Sequence, residues 1–258
     1  MGAVDWNPAC YETFATERTR PAKELLHRVA VAEAKTVLDL GCGSGTSTAL
    51  LVARWPSARV EGVDTSEAMV AKARQRLPRV AFHLADVGAF VPGDGVDVVF
   101  ANAVFHWLPD HGALLPRWLR SVNPGGALAL QMPDNLAEPS HRAMVEVAEH
   151  GPWAEELASA TAARTALASA EVYYDWLIPQ AETVDIWRTV YHHVLPGPEA
   201  VVAWFMATGL KPFVDPLPEP QRQAYLDAYR ERLGAAYPPR ADGKVLLRFP
   251  RLFIVATR

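Results

Sequence analysis

The chain has 258 residues, half of them apolar, enough for the one large core that an α/β domain of this size buries. Its 25 basic and 29 acidic residues give a formal net charge of -4 and are scattered rather than gathered in a tract, which argues against a nucleic-acid partner. Cysteine occurs only as Cys10 and Cys42, and Cys42 sits inside a glycine-rich loop, so no disulfide framework is expected and a reducing compartment is.

The opening Met1-Gly2-Ala3-Val4-Asp5-Trp6-Asn7-Pro8 lacks a basic start followed by an apolar run. No later stretch has the length of a membrane span, so a cytoplasmic protein without a membrane partner is expected. Residues 1–34 read as an N-terminal helical segment. From 36 to 129, short β-branched runs alternate with helical stretches, the pattern of a parallel sheet wound with helices. Strands are predicted at 35–40, 59–63, 81–85, 96–101 and 127–132, and helices at 47–54, 68–77 and 113–119. Pro78 and a Pro124-Gly125-Gly126 turn punctuate them. The near-continuous apolar run Val96-Asp97-Val98-Val99-Phe100 suits a sheet covered on both faces. Residues 35–133 thus read as the core. The next part, 134–247, opens with a helical insertion over 138–174, where alanine and helix formers replace β-branched residues. A strand at 183–192 and helices at 199–208 and 220–233 follow, with Asp215-Pro216-Leu217-Pro218-Glu219-Pro220 as a stiff loop between the helices. Residues 248–258 read as a final antiparallel strand, and the whole of 1–258 as a single domain.

The strongest chemical signal is the strand Thr36-Val37-Leu38-Asp39-Leu40 running through Gly41-Cys42-Gly43-Ser44-Gly45 into a helix at Thr46-Ser47-Thr48. Glycines there let the backbone bend sharply and let a ligand lie against the helix N-terminus. Alone, such a loop is weak evidence, since a tight strand-to-helix turn without a ligand has the same composition. Asp64, ending the second strand 19 residues beyond Gly45, stands where an acidic residue accepts from both ribose hydroxyls. A nicotinamide dinucleotide fits that feature too, but its fingerprint needs a glycine at the position of Thr46. Asp86, ending the third strand, reads either as a helix cap or as an acceptor for an adenine amino group beneath Val87. The fourth strand delivers Asn102, with His106 and Trp107 just beyond. All these positions follow strand ends, the edge where open α/β sheets bind ligands.

This succession resembles the class I S-adenosylmethionine-dependent methyltransferases over about residues 35–132. The resemblance implies S-adenosyl-L-methionine as cofactor and a Rossmann-like fold: a mostly parallel seven-stranded sheet with an antiparallel last strand, helices on both faces, and the insertion as a lid. It implies that Gly41, Cys42, Gly43 and Gly45 approach the methionine part, with Met69 also at the cofactor. Asp64 would serve the ribose, Asp86 and Val87 the adenine, and Asn102 the region of the sulfonium, while Asp39 supports the loop or the amino group. Trp107 reads as a wall of the site or as a buried tryptophan without ligand contact.

A narrower resemblance, to the trans-aconitate 2-methyltransferase family, rests on blocks spread over nearly the whole chain. They are Asp5-Trp6-Asn7-Pro8, Tyr11, Phe14, Glu17-Arg18, Arg20-Pro21, Glu24-Leu25-Leu26, Trp107-Leu108-Pro109-Asp110-His111, Gln131-Met132-Pro133-Asp134-Asn135, Asp185-Ile186-Trp187-Arg188-Thr189, Ala207-Thr208-Gly209-Leu210 and Phe249-Pro250-Arg251-Leu252-Phe253-Ile254-Val255-Ala256. The insertion around residues 152–170 matches that family least. This resemblance implies methyl transfer to a carboxylate of trans-aconitate or a similar small polycarboxylate, giving a monomethyl ester. A carboxylate, with a pKa near about 4, is already an ionised nucleophile at neutral pH, so no catalytic base is expected and positioning is the mechanism.

A polycarboxylate calls for arginine forks and hydroxyl or amide donors. The substrate-binding candidates are Tyr11, Arg18, Gln131, Tyr174, Arg188 and Arg251. Arg251 is favoured by its place on the last strand, with Arg248 as close but just outside the matched block. Arg20 is a cofactor candidate that reads equally as a surface ion pair with Glu17 or Glu24, and Tyr11 as a cofactor cover or a core partner of Phe14. Asn135 and Tyr173 are further donors, more structural than ligating in character. No metal is expected: His192 and His193 point to opposite faces of a strand, and nothing completes a cluster around His106 and His111. Competing readings are a methyltransferase acting on carbon, nitrogen or a hydroxyl with His106 as base, a non-catalytic nucleotide-binding module, and a nicotinamide-dependent oxidoreductase. Nothing in the sequence sets the oligomeric state, and a monomer is compatible with it.

Overall fold

The computed structural model describes residues 15–93, 95–206 and 208–258. Helix α1 (Ala15–Arg28) leads into β1 (Thr36–Leu40), α2 (Thr46–Arg54), β2 (Arg59–Asp64), α3 (Glu67–Arg76), β3 (Ala81–Leu84) and β4 (Val96–Asn102). A 3-10 turn at Phe105–Trp107 precedes α4 (His111–Arg120) and β5 (Val122–Pro133). Helices α5 (Pro139–His150), α6 (Ala154–Ala162) and α7 (Ala170–Leu177) form the insertion, followed by β6 (Thr183–Leu195), α8 (Pro198–Met206), α9 (Lys211–Val214), α10 (Glu219–Ala236) and β7 (Val245–Thr257).

The seven strands form one sheet in the order β3-β2-β1-β4-β5-β7-β6. β1 pairs in parallel with both β2 and β4, β2 with β3, and β4 with β5. The chain leaves β1 toward one side and returns to the other at β4, so the β1/β4 gap is the switch point where this class of sheet opens a crevice. β7 runs antiparallel to β5: Arg258 exchanges backbone hydrogen bonds with Gly125 and Gly126 at the start of β5, whereas Pro250, earlier in β7, accepts from Asp134 N just past its end. Val37, Leu38 and Leu40 of β1 and Val98, Val99, Phe100 and Ala101 of β4 are buried, as strands covered on both faces require.

The elements differ from the sequence expectation where glycine and proline are concerned. Pro124-Gly125-Gly126 does not end the element; it is taken up inside β5 as a bulge, with Gly125 at φ 80° and a shift in the β4–β5 register between Val96 and Val98. Pro21 lies inside α1, where it withholds one N–H from the ladder. β6 runs three residues further than expected, β7 starts three residues earlier, and a short helix, α9, stands before the proline-rich loop.

The chain divides into two units. The first comprises residues 1–133, 168–189 and 252–258 and holds most of the sheet; in it α1 packs against α2 and β5, and α4 against β5 and α7. The second comprises residues 134–167 and 190–251, where α10 packs along α5. Tyr225 and Tyr229 of α10 donate to the carbonyls of Met144 (2.8 Å) and Ser140 (3.2 Å) of α5, and Ser140 N donates to Tyr237 Oη (3.2 Å). Buried hydroxyls thus serve the backbone of the neighbouring helix rather than a solute. Among the described residues, no helix is long and apolar enough to cross a membrane.

Candidate functional site

The strand ends of the first unit lie level along one sheet edge. Leu40 is in register with Val63 of β2 and Ala101 of β4, and Asn102 with Gln131 of β5. One residue further along, Gly41, Asp64 and Asn102 therefore share the edge with Gln131.

The loop leaves β1 through three glycines with positive φ, Gly41 (63°), Gly43 (53°) and Gly45 (80°), a conformation that costs a side-chain-bearing residue roughly 1–2 kcal/mol. The three are not equivalent. A methyl group on Gly41 would lie 2.5 Å from Val104 Cβ, and one on Gly45 would press on Ala73, so these two glycines permit close packing. A methyl group on Gly43 would meet nothing within 4 Å; here the loop faces open space. Between them the Cys42 side chain turns away into a cluster with Val70, Ala73 and Phe82, where burial pushes its thiol pKa far up. Only the backbone of Cys42 remains for a ligand. Gly45 caps α2 without a side-chain hydrogen bond, which leaves the first N–H groups of that helix to other acceptors.

Two carboxylates hold this loop. Asp39 is fully buried beneath it, and its Oδ2 accepts from Ser47 Oγ (2.8 Å) and Thr48 Oγ1 (2.6 Å) of α2. Its Oδ1 is buried with no hydrogen-bond partner among the described residues. Burial outweighs the two hydroxyl donors and raises the carboxyl pKa to about 7. Asp64 accepts from Gly43 N at Oδ2 (2.9 Å) and from Ser66 N at Oδ1 (2.9 Å), with its pKa raised by burial against those backbone donors. With Thr65 N as a third backbone donor, the carboxylate still keeps acceptor capacity for a ligand hydroxyl. Met69, buried in the first turn of α3, backs this corner through its N–H to Ser66 Oγ.

Asp86 is exposed and closes a turn by accepting Gly88 N at Oδ1 (2.7 Å), which leaves Oδ2 free of that duty; Val87 beside it is buried. Arg117 of α4, a residue the sequence reading passed over, donates to both carbonyls of this turn, Gly88 O at 2.7 Å and Val87 O at 3.1 Å. Asn102 ends β4 with its Oδ1 buried and without a hydrogen-bond donor among the described residues. The 3-10 turn then exposes Trp107 (47%), with the His106 ring tilted against it at 4.7 Å, so Trp107 is not a buried core residue.

The other candidates are dispersed. Arg20 is exposed and ion-paired with Glu24 at 2.8 Å. Tyr11 and the Arg18 side chain lie outside the described residues. Gln131 is fully buried in β5, and Tyr174 of α7 is 44% exposed. Tyr173, beside it, is buried and bonded to His111. Arg188 is exposed on β6, where its charge helps lower the pKa of Glu171, chiefly set by the Ser169 hydroxyl. In the second unit Arg251 is buried with its guanidinium over Phe249 at 4.7 Å, while Arg248 is committed to an ion pair with the buried Glu138. Among the described residues, no group of three His, Cys, Asp or Glu side chains is placed to hold a metal ion.

A family model described as a methyltransferase domain matches residues 37–126, the stretch from β1 to the bulge in β5. Of solved structures, phosphoethanolamine N-methyltransferase 2 of Haemonchus contortus, in complex with S-adenosylhomocysteine, is similar in fold. Its TM-score is 0.55 at 17% identity, over 92% of this chain and 52% of that one, so this chain spans about half its length. Similarity to curated sequences is far higher. A trans-aconitate 2-methyltransferase of Paracidovorax citrulli is 54% identical over 98% of both chains, and one of Methylobacterium nodulans is 56% identical over 99% of both. Identity of this degree, extending well beyond the shared cofactor-loop region at both ends, makes this chain a member of the trans-aconitate 2-methyltransferase family.

Proposed function

We propose that the protein transfers a methyl group from S-adenosyl-L-methionine to a carboxylate of trans-aconitate, giving a monomethyl ester. The observation that carries this reading is the near-full-length identity above 50% to proteins bearing that name, which includes the segments outside the cofactor loop. The loop itself fits the cofactor: open space at Gly43, and two buried carbonyl-type oxygens, Asp39 Oδ1 and Asn102 Oδ1, lacking donors among the described residues. When bound, the cofactor supplies an electrophilic methyl group on a positively charged sulfur.

The residues divide the work. Gly43 and the free N–H groups of α2 receive the carboxylate end of the cofactor, and Asp39 and Asn102 suit its cationic end. Asp64 accepts from the ribose hydroxyls, and the second oxygen of Asp86 from the adenine amino group, with Val87 against the ring. The substrate carboxylate needs no base. What remains for the chain is to hold it in line at about 3–3.5 Å and to displace water from oppositely charged reactants. Gln131, Tyr174, Arg188 and Arg251, with Tyr11 and Arg18 of the N-terminal segment, are the proposed substrate contacts.

Incubation with S-adenosyl-L-methionine and a panel of di- and tricarboxylates, read by mass, tests this. The expected product is a monomethyl ester, formed fastest from trans-aconitate. Methylation of none of these acids, with cofactor binding intact by calorimetry, would overturn the acceptor assignment.

A further inference from the structure

The segment between β4 and α4 carries His106 and Trp107, and it is bracketed by Ala103 at φ 58° and Asp110 at φ 55°, the non-glycine residues with positive φ among those described. A side chain in this region costs roughly 1–2 kcal/mol, and such residues persist where the surroundings over-determine them. At one end, the Ala103 N–H donates to Gln131 O (2.9 Å) and Val104 fills the space left by Gly41, so the segment rests directly on the glycine loop. At the other, Asp110 caps α4 through Ala113 N.

Across the middle lies one imidazole. His111 Nε2 is 2.8 Å from Phe105 O and Nδ1 is 2.7 Å from Tyr173 Oη. A carbonyl only accepts, so Nε2 carries the proton; Nδ1 of the neutral ring then accepts from the tyrosine hydroxyl. Phe105 O also accepts Leu108 N at 2.8 Å, so the 3-10 turn and the imidazole share one oxygen. Tyr173 is fully buried in α7, with Trp176 edge-on to it at 5.4 Å. Gly112 allows this approach, since a methyl group there would sit 3.1 Å from the Trp176 indole.

We infer that Tyr173 and His111 are positioning residues for methyl transfer. They latch the 104–109 segment against the glycine loop, so that His106 and Trp107 form a fixed wall beyond Asn102 where the acceptor carboxylate must be aligned. The inference rests on the proposed methyltransferase reading. Neither residue need touch a reactant; both act through the Phe105 carbonyl.

Tyr173→Phe removes one hydroxyl and keeps the ring, so the fold is retained. The expected result is a fall in kcat with trans-aconitate of about tenfold, with KM for S-adenosyl-L-methionine unchanged within about twofold. His111→Leu should fall at least as far, and the double variant no further than His111→Leu, because the two residues form one latch. Amide hydrogen exchange of residues 104–109 supplies a readout independent of turnover and should quicken in Tyr173→Phe. Unchanged kcat and unchanged exchange would overturn the latch. An inactive parent enzyme would overturn the methyltransferase reading instead, with the exchange data still deciding the latch.

Discussion

Asp39 shows how a single carboxyl is constrained from both sides. Two hydroxyls of α2 favour its ionised form, yet full burial dominates and lifts its pKa from 3.8 to about 7. The consequence for stability has a definite sign. Below about pH 4 the group is protonated in both folded and unfolded chains; between about 4 and 7 the unfolded chain releases the proton and the folded one retains it. Stability from this residue is therefore present at low pH and lost as pH rises toward 7. Asp39→Asn keeps the acceptor for Ser47 and Thr48 and removes the titration. Its thermal midpoint, relative to the parent protein, should climb across that interval and level off above it. A difference independent of pH would assign the group an ordinary pKa. At this scale the carboxylates were legible in the sequence, since Asp39, Asp64 and Asp86 each mark a strand or its end. The inward turn of Cys42 was not, because the alternating left-handed glycines, rather than residue types, decide which way that side chain points.

Elements convey what residues alone do not. The turn after β3 places Asp86 and Val87, but its shape is held by α4, whose Arg117 bonds two successive carbonyls of that turn. No spacing rule links positions 30 residues apart on a loop and a helix, so this support could not be read from the sequence. It makes a prediction about the cofactor. Arg117→Ala leaves two half-buried carbonyls without their donor and should raise KM for S-adenosyl-L-methionine on the order of tenfold while sparing KM for trans-aconitate. Arg117→Lys, restoring a charge but only a point donor, should recover part of the loss. Equal rises in both constants would reduce Arg117 to a general stabiliser of α4. Element types and their order along the chain were legible from the alternation of β-branched and helical runs, and the misreadings cluster at proline and glycine. Pro124-Gly125-Gly126 carries a turn's composition, but pairing with β4 on one side and Arg258 on the other absorbs it into a bulged strand.

On the scale of the whole molecule, a chain of net charge -4 is asked to bind a tricarboxylate, so the field of the protein cannot recruit it and local cations must. In the sequence, only membership of the matched block sets Arg251 apart from Arg248, three residues away on the same strand. The structure separates them by burial: the half-exposed Arg248 pairs with the buried Glu138, whereas Arg251 is itself buried with its guanidinium over the Phe249 ring. Arg251 also lies in the block that resembles the family, and its planar fork matches a carboxylate. Arg251→Ala should therefore raise KM for trans-aconitate by on the order of tenfold or more, with a much smaller change in KM for the cofactor. Arg248→Ala serves as the contrast, since it strands Glu138 in the second unit; it should lower the thermal midpoint and leave KM for trans-aconitate near that of the parent. If the two variants behave alike, with equal small effects on both Michaelis constants, Arg251 is a structural residue of β7, and the substrate cations must be sought at Arg188 and in the N-terminal segment that carries Arg18.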